Sequence, residues 1–423
     1  MQPDLIEKSQ SQPSYLQNLM MPLTKSRPFR LLFLGKMLGM MGSSITSVIL
    51  PIIVLSLTGS TLAMGTTVAV SMLMKVIMLP FTGVIVDRLD RMKVVMVTDI
   101  IGFLLLLGLM LVCILDVVTM EMIYIFVAVF GITDALSGPA SHAIRARIYT
   151  PDIRNAANSL SQVSSQGIRL LGPTMGGIIL TFASAGIGLG IDSLSFLASF
   201  ICIYLLYKAM KTDNYEVKKS KEFSFKKDWV EGVAVLKSHT WLWFTILAFA
   251  FINICFGGVQ RVLIPWLFNV HHQLEPVYYG LAMTFAGVGA LLAALVFGAK
   301  QRWRYRGMMG YGGVLLSGLA LFALPFVTWP PLLMGLMILE GFGVMIFGLI
   351  WETSLQELVP EEAFGRVVSL DMFGSFALLP LGYLGAGWLA EEVGGLITMS
   401  IFAGAGVAIV AVAFLFPGVR KFD

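Results

Sequence analysis

Long apolar runs separated by short polar connections fill most of the chain. A transmembrane helix needs about 20 mostly apolar residues, and twelve runs of this kind follow one another along the sequence. They lie at 30–57, 63–86, 93–115, 121–144, 157–182, 187–208, 241–267, 278–299, 308–328, 331–354, 365–389 and 395–416. The pattern predicts an all-α membrane protein with twelve transmembrane helices, which are called spans 1 to 12 below.

Short repeats indicate two related halves. Pro51 ends the apolar sequence Val-Ile-Leu-Pro in span 1, and Pro265 ends Val-Leu-Ile-Pro in span 7. Many transporters consist of such repeats and bind substrate between them, near the midplane. We therefore expect two pseudo-symmetric six-helix bundles. The predicted domains are a cytosolic tail at 1–28, a first bundle at 29–208, a basic cytosolic linker with an amphipathic helix at 209–240, a second bundle at 241–416 and a cytosolic tail at 417–423.

The basic residues fall almost entirely on one side of the predicted membrane. Of the 29 Lys and Arg residues, four lie well inside predicted spans. The other 25 fall in tails, loops or span ends that a twelve-span count with a cytosolic N-terminus places on the cytosolic side. Cytosolic loops carry an excess of Lys and Arg. Both termini are therefore predicted to be cytosolic, in a multi-pass protein of the plasma membrane.

Composition excludes several classes of protein. Charged residues make up 13% of the chain, against about 25% in a typical soluble domain. The net charge of +4 is too small to indicate nucleic-acid binding. Cys113, Cys202 and Cys255 all fall inside apolar runs, so neither a disulfide framework nor a metal site is predicted. Because the sequence has no ATP-binding loop and no hydrolase signature, we expect no enzyme and no cofactor, and transport has to draw on an ion gradient or on the substrate's own gradient.

A polar segment follows span 2 and reads Gly83-Val-Ile-Val-Asp87-Arg88-Leu-Asp-Arg91. It resembles the signature that the major facilitator superfamily carries at the junction of spans 2 and 3. The resemblance implies that Gly83, Asp87, Arg88 and Arg91 form a conformational latch that does not contact substrate. An acid at membrane level can interact with the positive N-terminus of another helix. We expect that helix to be span 11, near 365–369.

Span 5 contains the cluster Gly172-Pro173-Thr-Met-Gly176-Gly177. Small residues let two helices approach closely, and proline bends a helix. The cluster is similar to the antiporter motif of exporters in the same superfamily. Further similarity to its twelve-span macrolide- and drug-efflux group lies at 138–140, 157–160, 191–196, 231–232 and 365–370. The resemblance implies the major facilitator fold and drug:proton antiport by alternating access.

Four charged residues lie near the middle of predicted spans, where a charge costs about 2.5–3.5 kcal/mol and usually has a function. Asp134 of span 4 and Arg169 of span 5 both lie about 20 Å from the cytosolic side, which predicts an ion pair, either static or involved in coupling. Lys75 of span 2 is a further candidate to neutralise a carboxyl. Glu340 of span 10 has no basic residue in sequence reach. We expect Glu340 to take up and release protons, because a buried carboxyl without a cation favours its neutral form.

The leading hypothesis is proton-coupled efflux of amphipathic small molecules by a monomer in the lipid bilayer. The alternatives are export or flipping of a lipid or of a dedicated metabolite such as a siderophore, and a non-transporting receptor or scaffold. Spans 7, 8 and 10 supply the candidate substrate contacts, which are aromatic side chains that tolerate varied apolar ligands together with two polar amides of span 7. These are Phe251, Asn253, Phe256, Gln260, Phe285 and Phe347.

Overall fold

The structure is a computed structural model of the chain and describes residues 15–211, 240–297, 305–359 and 361–416. Nearly all of these residues are helical, and no strand occurs among them. The predicted all-α fold is therefore confirmed. A short helix, Tyr15–Lys25, precedes the first span. Most of the predicted linker, the first 14 residues of the predicted N-terminal tail and the whole predicted C-terminal tail lie outside the described residues.

Long helices match the predicted spans in order. Span 1 is Arg27–Thr58, span 2 is Thr61–Arg88, span 3 is Arg91–Ile114, span 4 is Met120–Ile148, span 5 is Arg154–Phe182 and span 6 is Ala185–Lys211. Span 7 begins with Thr240–Gly258 and continues through Val259–Leu263, Ile264–Trp266 and Leu267–His271. Span 8 is Pro276–Phe297, span 9 is Arg306–Ala323, span 10 is Pro330–Leu358 and span 12 is Gly395–Leu415. Span 11 consists of two helices, Glu361–Phe376 and Leu379–Val393.

Eleven of the helical segments in the described part of the chain are long and apolar enough to cross a membrane. Span 5 does not meet that criterion because of its polar residues. Asn158, Gln162, Ser165 and Arg169 recur at the spacing of one helix face. A polar stripe of this kind is unsuited to lipid, but it suits a helix that lines a water-filled space.

The packing of the first six spans is repeated by the last six. Span 1 packs on spans 5 and 6, span 4 on spans 2 and 3, and span 3 on span 6. Correspondingly, span 7 packs on spans 11 and 12, span 10 on spans 8 and 9, and span 9 on span 12. The main contacts between the halves are span 2 with span 11 and span 5 with span 8. The sequence repeats therefore correspond to two bundles with the same internal arrangement.

The two halves touch closely at one end of the molecule. The end predicted to face the cytosol, where spans 1 and 5 begin, is called the inner end, and the opposite end is called the outer end. A Cβ atom at Gly387 of span 11 would lie 2.6 Å from the backbone oxygen of Thr61 in span 2. A Cβ atom at Gly177 of span 5 would lie 2.8 Å from the Cα atom of Val277 in span 8. Both contacts are in the outer half, so the structure is closed at the outer end.

Candidate functional site

The glycine–proline cluster predicted in span 5 lies where this helix meets both neighbours. Gly172 faces the hydroxyl of Ser44 in span 1. A Cβ atom at Gly176 would lie 2.9 Å from a backbone oxygen of the same span. On the other side, the backbone oxygen of Pro173 contacts a glycine of span 8. Gly177 also approaches the backbone of span 8. The cluster therefore permits close contact within the first half and between the halves.

Arg169 points toward the space between the halves. Gly176 lies on the face of span 5 toward span 1, and Gly177 lies on the face toward span 8. In projection down the helix axis, Arg169 lies between these two directions. The opposite face carries Leu171 and Phe182, which are 63% and 82% exposed, as expected for side chains in contact with lipid. Arg169 is itself exposed. We therefore expect the guanidinium of Arg169 to face water between the halves.

Lys75 and Asp134 form an ion pair that joins spans 2 and 4. Lys75 Nζ donates to Asp134 Oδ2 at 2.6 Å, and the two side chains are 42% and 52% exposed. Leu73 and Ile77 expose an apolar face of span 2 elsewhere on that helix. The predicted pairing of Asp134 with Arg169 is wrong, and Lys75 is the partner. Depth in the bilayer allowed either Arg169 or Lys75 to be the partner of Asp134. Span 4 packs on span 2, which carries Lys75, whereas span 5 packs on spans 1 and 8.

Glu340 is buried inside the second half at the contact between spans 7 and 10. Only 7% of the residue is exposed. Gln260 Nε2 donates to Glu340 Oε1 at 2.6 Å. No cation pairs with Glu340 among the described residues. Gln260 lies within the π-helical turn Val259–Leu263, and such turns are frequent at functional sites.

The other predicted substrate contacts pack mostly against neighbouring helices. Phe256 is buried against glycines of spans 9 and 12, and Phe347 stacks on a ring of span 7 with centroids 4.0 Å apart. Phe285 is partly buried against the same apolar core. Phe251 is 48% exposed beside further exposed apolar side chains of span 7. Asn253 donates to a backbone oxygen of span 11. Helix rotation, which the sequence pattern did not give, assigns these side chains to packing or to the lipid side.

The predicted latch after span 2 is only partly described. Arg88 is exposed and lies in the last turn of span 2. The surroundings of Gly83 and Asp87 lie outside what the structure describes, as do three of the expected partner positions, 365, 366 and 369. The other two, Val367 and Val368, pack in an apolar cluster with Leu242 of span 7. Asp90 accepts from the backbone N–H of Met92 at 2.9 Å and so caps span 3. The latch role of Asp87 stays a prediction.

Two buried carboxyls were not among the predicted site residues. Asp192 of span 6 is fully buried and accepts hydrogen bonds from Thr46 Oγ1 at 2.5 Å and Ser195 Oγ at 3.0 Å. Asp99 of span 3 accepts from Ser199 Oγ at 2.7 Å. Each ties two spans of the first half together through hydroxyl groups. As acids in apolar runs both stand out in the sequence, where a structural role is the favoured interpretation.

A carboxylate also bridges the halves at the outer end. Glu391 of span 11 accepts hydrogen bonds from the hydroxyl of Ser60 and from the backbone N–H of Leu62 at 3.2 Å. These groups form the N-terminus of span 2, where a negative charge is stabilised by the helix dipole. Thr61 Oγ1 adds a bond of 3.0 Å to the backbone oxygen of Gly387. The outer contact between spans 2 and 11 is therefore polar as well as closely packed.

Comparison with known sequences identifies the family to which this arrangement belongs. A sequence model of the Major Facilitator Superfamily matches residues 32–370. The chain belongs to the Major Facilitator Superfamily. The predicted resemblance is confirmed, and the protein is a multi-pass membrane transporter of this superfamily.

Similar proteins of this superfamily cover nearly the whole chain. The multidrug efflux pump Tap of Mycolicibacterium fortuitum is 24% identical over 95% of this chain and 98% of that protein. Macrolide efflux protein A of Streptococcus pyogenes is 20% identical over 95% of this chain and 100% of that protein. Among solved structures, a bacterial homologue of the iron transporter ferroportin in its inward-facing state has a TM-score of 0.72 at 17% identity, covering 94% of this chain and 98% of that one. At this identity the structural likeness shows the fold alone.

Proposed function

We propose that this member of the Major Facilitator Superfamily exports amphipathic small molecules from the cytosol in exchange for protons. Two similar proteins of matching length are named as a multidrug efflux pump and a macrolide efflux protein. They support the direction of transport and a drug-like substrate. The plasma membrane is the location that fits this activity.

Glu340 is the observation that carries proton coupling. A charged side chain at the centre of a bilayer costs about 2.5–3.5 kcal/mol, and among the described residues the neutral amide of Gln260 is the one hydrogen-bond partner of Glu340. Protonation removes that cost, whereas Asp134 is already compensated by Lys75. The two carboxyls thus divide the work: Glu340 exchanges the proton, and Asp134 holds Lys75.

Alternating access connects this proton exchange with movement of substrate. The halves meet through glycine-lined contacts at the outer end, while Arg169 and Asp134 are exposed and Lys75 is partly exposed. This arrangement fits an inward-facing state. A tilt of one bundle against the other would separate Gly387 from Thr61 and open the outer end.

The test is transport into inside-out vesicles with an imposed proton gradient. Glu340→Gln mimics the protonated carboxyl, so it should abolish gradient-driven transport of a fluorescent amphiphile while binding of the dye persists. The matched control is Glu357→Gln, which alters a carboxyl of the same span that pairs with Arg306 at the inner end. Glu357→Gln should transport normally.

Transport by Glu340→Gln at the wild-type rate, abolished by a proton uncoupler, would rule out Glu340 as the proton carrier. If the second candidate function is correct, and the protein exports a lipid or a dedicated metabolite, the vesicles should show no gradient-driven uptake of any drug-like dye. A receptor or scaffold would transport nothing under any condition.

A further inference from the structure

Three cations on the cavity side of the first half have no anionic partner among the described residues. They are Lys36 of span 1, Arg145 of span 4 and Arg169 of span 5, and together we call them the cationic face. Lys36 and Arg145 lie close enough to repel each other. The close side-chain contact of Arg145 is with His142, which brings no negative charge. The three cations therefore add to a positive potential along one wall of the cavity.

The cationic face extends from the inner mouth to the midplane. At about 1.5 Å per residue, Arg145, Lys36 and Arg169 lie about 5, 14 and 22 Å from the inner ends of their spans. The preference for basic residues in cytosolic segments explains a charge at the depth of Arg145. It does not explain Arg169, which keeps a full charge at mid-membrane depth and so requires water or an anion beside it.

The described carboxyls nearest in depth to this wall bond to other groups. Asp99 accepts a hydrogen bond from a serine of span 6, Asp134 pairs with Lys75, Glu340 accepts from a glutamine of span 7, and Asp371 accepts from a tryptophan of span 10. None of these four contacts involves Lys36, Arg145 or Arg169, so no described carboxylate forms an ion pair with the cationic face.

We propose that the cavity recognises its substrates by an anionic group, a carboxylate or phosphate, that docks on Arg169. The proposal rests on the proposed function and specifies its substrate class. A guanidinium presents paired N–H donors that match the two oxygens of a carboxylate or phosphate. Arg145 and Lys36 attract the anion into the inner mouth, because a wall of one sign raises the local concentration of the opposite charge. Glu352 is exposed on the facing half, but it lies about 9 Å from the inner end of span 10, well below Arg169.

Binding of two dyes with the same ring system tests this proposal. The purified full-length protein, in lipid nanodiscs without any ion gradient, is titrated with fluorescein, which carries a carboxylate, and with a cationic rhodamine ester. Arg169→Gln should weaken fluorescein binding about tenfold or more, since it removes hydrogen bonds to a charged group. Arg169→Lys should recover part of that loss, and the rhodamine ester should bind Arg169→Gln no more weakly than wild type.

Arg154→Gln is the matched control, because it removes a positive charge from the inner end of the same span. It should leave fluorescein binding within about twofold of wild type. Wild-type protein that binds the rhodamine ester but not fluorescein would overturn the proposal, as would unchanged fluorescein binding in folded Arg169→Gln. If Arg169→Gln fails to fold, Lys36→Gln is measured instead, with a smaller loss expected that disappears at high salt. Because no gradient is present, the result is independent of whether Glu340 couples transport to protons. A fluorescent anionic phospholipid, tested as a third arm, distinguishes a lipid phosphate from a free organic anion.

Discussion

Glu391 should help to hold the outer end closed. Its carboxylate accepts two hydrogen bonds from the N-terminus of span 2, from Ser60 and Leu62. A charge at an exposed helix N-terminus contributes about 0.3–1 kcal/mol, and each hydrogen bond adds about 0.5–1.5 kcal/mol. Because Glu391 is solvent-exposed, we take the lower part of the combined range, about 1–2 kcal/mol. Its removal should shift the equilibrium between closed and open outer ends about 5- to 30-fold toward open.

The assay is a distance measurement between spin labels on the outer loops of the two halves. Labels at Val117 and Glu275, both exposed, should show a larger population at long distance in Glu391→Ala than in wild type. Glu391→Gln keeps an acceptor oxygen without the charge, so its shift should be smaller. The neighbouring Glu392→Ala serves as the control and should behave as wild type. An unchanged distance distribution in folded Glu391→Ala would refute this role of Glu391.

Three further predictions follow from the packing and the charges. Asp134→Asn should lower the midpoint of thermal unfolding because it leaves Lys75 unpaired, and exposure limits the effect to about 1 kcal/mol. In a double-mutant cycle, Asp134→Asn should cost less stability in a Lys75→Gln background than in wild type. An equal cost in the two backgrounds would contradict the ion pair. Gly177→Val should hold the outer end open, since the new side chain meets the backbone of span 8 at a distance that permits no adjustment; spin-label distances that match wild type would disprove the steric argument. An impermeant thiol reagent added to intact cells should label a cysteine placed at Glu392 but not one placed at Lys221, and the reverse labelling would invert the predicted topology.

The sequence by itself determined the class of protein and the order of its helices. Each span is a property of about 20 consecutive residues, and hydropathy over such a window needs no knowledge of neighbouring helices. The repeat of Pro51 in Pro265 likewise indicated two halves, and the segment from Gly83 to Arg91 indicated the superfamily. Even Arg169 and Glu340 could be selected, because a charge in an apolar run stands out by its cost.

Tertiary structure decided which groups meet. Depth along a helix can be counted from the sequence, but the rotation of the helix and the identity of its neighbour depend on packing across the whole bundle. Depth alone assigned Asp134 to Arg169, whereas the contact between spans 2 and 4 gives it Lys75. In the second half, the approach of span 7 to span 10 brings together Gln260 and Glu340, which are 80 residues apart in sequence. Among the described residues Arg169 has no anionic partner, because span 5 packs on spans 1 and 8 and not on span 4, which carries Asp134.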